Sequence, residues 1–222
     1  MVSLRDVRLR IRAIEQTLQV TKAMNLISTA KLRKGRRMLL DTEPYYKRIQ
    51  KVMFDIISGT NKIDSIFFRN KNLSDSRRTA IITITSDKGL AGSYNANVFK
   101  QTIELCSRVQ NPVLILVGAI GYRYFLHTPY IILENFSFHS KTPTVEHAGE
   151  IADYIISQYL WEVFDEIHIV YTHMFNAIKI LPVERQIIPL NKEKIQAELS
   201  EIGSHKRGSV KFECLPSGKA VF

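Results

Sequence analysis

The hydrophobic positions at the start of the chain recur in steps of three and four residues. Steps of this kind form the seam of a coiled coil, so the pattern predicts one long helix over the first 51 residues. No glycine or proline precedes Gly35 in this stretch, and Ser3 with Asp6 resembles a capping box at its start. No other segment of the sequence carries a matching seam. The seam positions are Leu4, Val7, Ile11, Ile14, Leu18, Thr21, Asn25, Ser28, Leu32, Gly35 and Leu39.

The pattern changes to short apolar runs separated by amphipathic segments after a polar stretch near residues 61–78. Continuous β-branched runs are typical of strands that are covered on both faces, and their alternation with helices predicts an α/β fold with a mostly parallel sheet. The predicted strands are residues 79–85, 112–117, 130–136 and 166–171, followed by a strand over 178–190 that Pro182 interrupts. The predicted helices are residues 95–109 and 145–164.

The helix over residues 145–164 is predicted to be amphipathic, with one apolar side. That side holds Ala148, Ile151, Ala152, Ile155, Ile156, Tyr159 and Leu160. The domain organisation predicted from these patterns is a long coiled-coil helix over residues 1–60, a linker over 61–78 and an α/β domain over 79–215.

The positive charge of the chain is concentrated in the first helix. Residues 1–51 contain 13 Lys and Arg against 4 Asp and Glu, whereas the remaining residues contain 18 against 17. Nearly all of the formal net charge of +10 therefore lies on one helix. A basic helix of this kind usually faces nucleic acid, an anionic membrane or an acidic protein surface, and the alternative is an ordinary solvated face.

Several classes of protein are disfavoured by the composition. No stretch approaches the ~20 apolar residues of a membrane span, and the N-terminus lacks the apolar core of a secretory signal. The two cysteines, Cys106 and Cys214, are far apart and form no metal-binding motif, which predicts free thiols in a reducing compartment. The six histidines are scattered, so we predict no catalytic residues, no metal and no cofactor.

The loop at residues 86–97 follows the first predicted strand, where phosphate-binding loops lie in α/β proteins. It lacks both the GxGxxG spacing and the Gly-Lys-Ser/Thr ending of a P-loop, which disfavours nucleotide binding. Gly89 and Gly92 are predicted to supply positive φ angles and close packing. Asp87 and Lys88 are expected to pair with each other, with the preceding segment or with a partner.

Two segments of the chain resemble the γ subunit of F-type ATP synthases, of the bacterial type. The first is the N-terminal helix, with Thr-Lys-Ala-Met at residues 21–24 and Ala-Lys-Leu-Arg at residues 30–33. The second is the loop Ser-Asp-Lys-Gly-Leu-Ala-Gly-Ser-Tyr-Asn-Ala-Asn at residues 86–97, in which Ala91 and Ser93 replace the family's Cys and Gly. Both lie in the order that the family shows.

The resemblance implies a non-catalytic rotor subunit. In that family the N-terminal helix pairs with a C-terminal helix to form a shaft inside a hexamer of α and β subunits. A Rossmann-like domain without nucleotide lies near the ε subunit and the c-ring, on the cytoplasmic face of the cell membrane. Rotation then couples proton or sodium flow to ATP synthesis. The resemblance assigns residues 216–222 to the start of the family's long C-terminal helix, so we expect the sequence to be a fragment. The alternative is a truncated subunit whose seam pairs with another partner.

The resemblance also implies where partners bind. A first set of helix residues is expected to face the acidic loops of the β subunits, and a second set forms a structural or partner loop. The first set is Lys22, Met24, Lys31, Arg33 and Lys34. The second set is Asp87, Lys88, Gly89, Gly92 and Asn95.

Two alternatives belong to other classes of protein. A nucleic-acid-binding protein would lay the basic helix along phosphates and give a salt-sensitive gel shift. A nucleotide-dependent enzyme using the loop with Gly89 and Gly92 would bind ATP or NAD detectably by calorimetry. The γ-subunit resemblance favours neither.

Overall fold

A computed structural model describes residues 3–59, 65–68, 78–137, 143–176 and 179–191. These residues fall into two compact units, one containing the N-terminal helix and the other containing residues 65–191 as far as they are described. Several predicted parts of the chain lie outside the described residues. These are most of the linker 61–78, the α/β domain after residue 191, the segment 216–222 and Cys214.

Helix α1 spans Leu4–Gly59, so it extends past residue 51, where the helix predicted from the seam ends, and lies within the predicted helical range 1–60. Ser3 caps its start, but its Oγ accepts a hydrogen bond from Arg5 N at 3.2 Å, one residue earlier than a capping box requires. The helix continues through Gly35 and Pro44. Because proline has no N–H, the Leu40 carbonyl lacks its usual helical donor at residue 44.

The apolar seam of α1 is exposed. Every described side chain from residue 3 to residue 49 is exposed, including all the large apolar residues of the seam. Helices of this length are stabilised mainly by packing of an apolar face, so a seam that is left open on this unit is suited to contact with another helix or subunit.

The second unit is built on a five-stranded sheet in the order β3-β2-β1-β4-β5. The first four strands in that order are mutually parallel and β5 is antiparallel to β4, which confirms the predicted mostly parallel α/β fold. The strands are β1 Thr79–Ile84, β2 Pro112–Val117, β3 Ile131–Phe136, β4 Glu166–Met174 and β5 Ile180–Ile188. The helices are α2 Tyr94–Arg108, α3 Ala119–Phe125 and α4 Val145–Leu160.

Two features of this unit differ from the sequence-based expectation. Pro182 does not interrupt β5, because it lies opposite Thr172 within a continuous ladder, and an edge strand tolerates the missing N–H. Helix α3 was not predicted, since at seven residues it is too short to show a helical period.

Both faces of the sheet are covered, which explains the continuous apolar strands. Ile81, Leu114 and Leu116 pack on one face with α2 and with Phe125 of α3. On the other face, Ile82 and Ile115 pack with α4. A 3-10 turn at Ile66–Phe68 also belongs to this second layer, since Phe67 packs against it and the Tyr159 hydroxyl donates to Ile66 O at 3.0 Å.

Helix α4 does not have the single apolar side that was predicted. Ile155 and Tyr159 are buried against the sheet and Ile151 is partly buried. By contrast, Ala148, Ala152, Ile156 and Leu160 are exposed. The helix therefore carries apolar residues on two faces, of which only one packs in the core.

The buried thiol of Cys106 makes stability pH-dependent in the alkaline range. Burial raises its pKa from 9.0 to about 11, so the unfolded chain loses this proton first as the pH rises. We expect the free energy of unfolding to fall between pH 9 and pH 11, by up to about 2 kcal/mol from this group. Urea unfolding at several pH values should show that the free energy of unfolding falls less steeply with pH in Cys106→Ala than in the unmodified chain. An equal pH dependence in the two proteins would contradict the assignment to Cys106. The comparison cancels the contribution of the tyrosines other than Tyr130, whose pKa is raised by burial and also by the neighbouring Cys106.

Candidate partner-binding surfaces

The loop after β1 is fixed to the fold by Ser86 and Asn95. The Asn95 carboxamide oxygen accepts from Ser86 N at 3.1 Å, and its Nδ2 donates to Ser86 Oγ at 2.8 Å. The Ser86 hydroxyl is also 2.7 Å from Lys88 O, to which it can donate. Asn95 is buried at the start of α2, so these bonds tie both ends of the loop together. The loop is therefore a rigid element of the α/β unit.

The first four N–H groups of α3 are all bound by this chain. Ala119 N donates to Asp87 Oδ1 at 3.1 Å, and Ile120 N donates to Ser86 O at 3.1 Å. Gly121 N donates to Thr85 Oγ1 at 3.0 Å, and Tyr122 N donates to Gly118 O at 3.4 Å. A phosphate at this helix would lose these donors and meet the carboxylate of Asp87. The geometry therefore disfavours a phosphate at the start of α3.

The structure assigns Asp87 a partner that was not predicted. Its carboxylate is half-buried and binds the backbone of α3, which follows in sequence, rather than Lys88 or the preceding segment. Lys88 is exposed. Asp87 thus has a structural role, and Lys88 is available to a partner.

The two loop glycines behave differently from expectation. Gly92 has the predicted positive φ, at 58°, but the other positive φ belongs to Leu90, at 62°, rather than to Gly89. A Cβ added to either glycine would meet nothing within 4 Å, so the predicted close packing was wrong for both. Leu90 is 95% exposed. The tip of the loop is therefore an open, protruding turn.

Close packing is found instead at two glycines that sequence reasoning missed. A Cβ on Gly118 would lie 2.3 Å from Thr85 O, and one on Gly121 would lie 2.6 Å from Thr85 Oγ1. Gly118 directly follows β2 with a φ of 102°. The sequence feature that indicates them is the pair of glycines at positions 118 and 121, which immediately follow an apolar strand.

Thr85 is expected to be important for the stability of this edge. Its hydroxyl accepts from Gly121 N and lies 3.0 Å from Val117 O, to which it can donate. Thr85→Val would leave the Gly121 N–H without its partner, whereas Val117 O keeps the Thr85 N–H, so we expect a cost of about 2 kcal/mol from the one buried donor. Thr83→Val is the matched control. The Thr83 hydroxyl contacts Thr102 Oγ1, and the Thr102 hydroxyl keeps its hydrogen bond to Val98 O when Thr83 is replaced. Urea unfolding of both variants measures the difference, and equal losses would contradict this role.

The five helix residues predicted to face a partner are all exposed, but they do not share one face. At about 100° per residue, Lys22 and Arg33 lie within roughly 20° of each other. Met24 and Lys31 lie on nearly the opposite side, and Lys34 lies between the two groups. A single flat partner cannot contact all five at once, whereas a partner that surrounds the helix can.

A sequence model of the family described as ATP synthase matches residues 3–222. The chain belongs to the ATP synthase gamma-chain family. It is 36% identical to the gamma chain of Acetivibrio thermocellus over 200 residues, covering 88% of this chain and 68% of that one. Identity to the gamma chain of Ruminiclostridium cellulolyticum is 35% over 198 residues, covering 89% and 67% respectively. The chain thus spans about two thirds of these gamma chains.

Among solved structures, the chain is similar to one from the central stalk and c-ring of the Tetrahymena thermophila mitochondrial ATP synthase. The TM-score is 0.47 at 19% identity, with 73% of this chain and 74% of that chain covered. Membership in the gamma-chain family confirms the predicted function of a central-stalk gamma subunit, which is a non-catalytic subunit of ATP synthase.

Two further observations concern the described residues alone. None of their helices is long and apolar enough to cross a membrane. Within the same residues, no three His, Cys, Asp or Glu side chains are placed to hold a metal ion.

Proposed function

We propose that α1 is the shaft of a rotor that couples ion-driven rotation of the c-ring to ATP synthesis in a hexamer of α and β subunits, and the reverse on hydrolysis. The observation that carries this proposal is the exposure of α1 on every side over residues 3–49. A helix that turns inside a ring of subunits must present contacts around its whole circumference, and α1 has basic or apolar residues on all sides.

The residues proposed to contact the β subunits are Lys22, Met24, Lys31, Arg33 and Lys34. Their distribution around the helix suits three β subunits that surround it, since each side of the helix would then face a different subunit. Basic side chains in this position act on acidic loops mainly by electrostatic complementarity, which sets register more than affinity. The seam on a neighbouring side of the helix remains available for a second helix of the shaft.

The α/β unit is proposed to form the foot of the shaft, near the ε subunit and the c-ring, peripheral to the cytoplasmic face of the membrane. Its loop at residues 86–97 is held rigidly by Ser86 and Asn95, while Lys88 and Leu90 protrude from it. A rigid loop with an exposed tip is suited to contact with a neighbouring subunit, since little conformational entropy is lost on binding.

The test is co-expression of this chain with the α and β subunits of the same organism, followed by native mass spectrometry and an ATPase assay. We expect one copy bound to an α/β hexamer, with ATPase activity that depends on it. A matched variant, Ile11→Asp with Ile14→Asp, disrupts the seam and should prevent a stable shaft. Failure of the unmodified chain to bind the hexamer would contradict the shaft function.

A further inference from the structure

Helix α4 carries a second apolar stripe that does not pack in the core. Its members follow one another in steps of four, three, four and four residues, which places them on one face of the helix, about a quarter turn from Ile155. Val145 is 90% exposed, and Gly149 and Ala152 leave the middle of the stripe shallow. The stripe consists of Val145, Gly149, Ala152, Ile156 and Leu160.

Acidic residues border this stripe. Glu146, Glu150 and Asp153 lie on the same edge of it, all three exposed, and the helix contains no Lys or Arg. The charge of α4 is therefore opposite to that of α1. An apolar face with a shallow centre and an acidic border has the features that one helix needs to bind another of basic, amphipathic character.

We propose that this face of α4 docks a basic amphipathic helix from another subunit. The apolar side chains of the partner would pack on Ile156 and Leu160, and the small residues at 149 and 152 allow the two helix axes to approach closely. Lysine or arginine residues at the edge of the partner would lie beside Glu146 and Asp153. This docking site goes beyond the shaft function, because it uses neither α1 nor the β subunits.

The border of acidic residues argues against two other occupants. Two copies of α4 packed face to face would bring like charges together, which opposes a symmetric dimer. An anionic membrane surface would be repelled for the same reason. The acidic border therefore selects a cationic protein partner.

The test uses the full chain and a synthetic 21-residue helical peptide with leucines at seam spacing and lysines beside them. Trp161, the single tryptophan, is 72% exposed at the end of α4, so its fluorescence should shift to the blue when the peptide binds. We expect micromolar affinity, falling at least about tenfold for Ile156→Ser and for Glu146→Lys with Asp153→Lys. A peptide with glutamate in place of lysine should leave Trp161 unshifted.

Ile187→Ser is the matched control, since Ile187 is 37% exposed on β5 and Ile156 is 38% exposed. It should bind the basic peptide as the unmodified chain does. Absence of a fluorescence shift, or equal binding by the Ile156→Ser chain, would overturn the proposal. Concentration-dependent self-association that Ile156→Ser abolishes would also overturn it, in favour of a second copy of the chain.

The assembled complex provides a second measurement. Leu160→Cys, in a chain with Cys214→Ser, should react with a maleimide at least about tenfold more slowly in the complex than in the isolated chain. Ile187→Cys is the control for general access, and Cys106 is buried and should not react. Equal labelling in the two states would show that the face is uncovered and would overturn the proposal, whether or not the shaft function holds.

Discussion

Replacing Gly118 with alanine is expected to lower the free energy of unfolding by roughly 3 kcal/mol or more. The added Cβ would lie 2.3 Å from Thr85 O and 2.7 Å from Thr85 Oγ1. Both are held in place, since Thr85 N donates to Val117 O and the Thr85 hydroxyl accepts from Gly121 N. In addition, φ at Gly118 is 102°, which an alanine adopts only with strain.

Gly92→Ala is the matched control for Gly118→Ala. Gly92 also has a positive φ, at 58°, but its surroundings are open, so only the conformational cost of about 1 kcal/mol applies. Urea unfolding of the two variants separates backbone strain from steric overlap. Equal losses would show that the edge of the sheet can relax around the added methyl group.

This contrast also shows where sequence reasoning succeeded and where it failed. The glycines in the motif, Gly89 and Gly92, drew attention because they lie in a loop at the expected place. The glycine that the fold most requires is Gly118. The strands β1 and β2 end side by side, and Thr85 packs directly against Gly118. That proximity depends on strand order, which the local sequence does not contain.

Elements with a clear hydrophobic pattern were predicted well, because the pattern follows from which side chains are buried. The run at 112–117 is apolar throughout since α2 and α4 cover both faces of the sheet, and β2 has the predicted bounds. The prediction for helix α4 was only partly correct. An apolar residue such as Ile156 indicates an apolar face, but the sequence of the helix does not show whether that face is covered by the chain's own sheet or by another protein.

The role of Asp87 was missed for a related reason. Its carboxylate binds Ala119 N, 32 residues away, where β1 and β2 bring the two loops together. The basic residue nearest in sequence is Lys88, which is why the pairing with Lys88 was expected. A side chain at the carboxyl edge of a parallel sheet can instead bind the N-terminus of any helix that begins at the same edge.

Neutralising Lys22, Arg33 and Lys34 together, each to glutamine, is expected to reduce coupled ATP synthesis about tenfold in membrane vesicles. If each charge contributes about 0.5 kcal/mol to the fit with acidic loops of the β subunits, the three together contribute about 1.5 kcal/mol. The control neutralises Lys100, Arg123 and Lys179, which are exposed on the α/β unit and change the net charge equally. Unchanged synthesis in the first variant would contradict the proposed contact.

The positions of these charges around α1 allow a test of whether partners surround the helix. Lys22 and Arg33 lie on one side of the helix and Lys31 lies nearly opposite. A shaft inside a ring of β subunits uses every side, so Lys31→Gln should impair synthesis as much as Lys22→Gln does. A helix that binds one partner on one side would depend on that side alone. Because surface charges are screened by salt, both losses should shrink as ionic strength rises. A loss confined to one side would contradict the surrounded shaft.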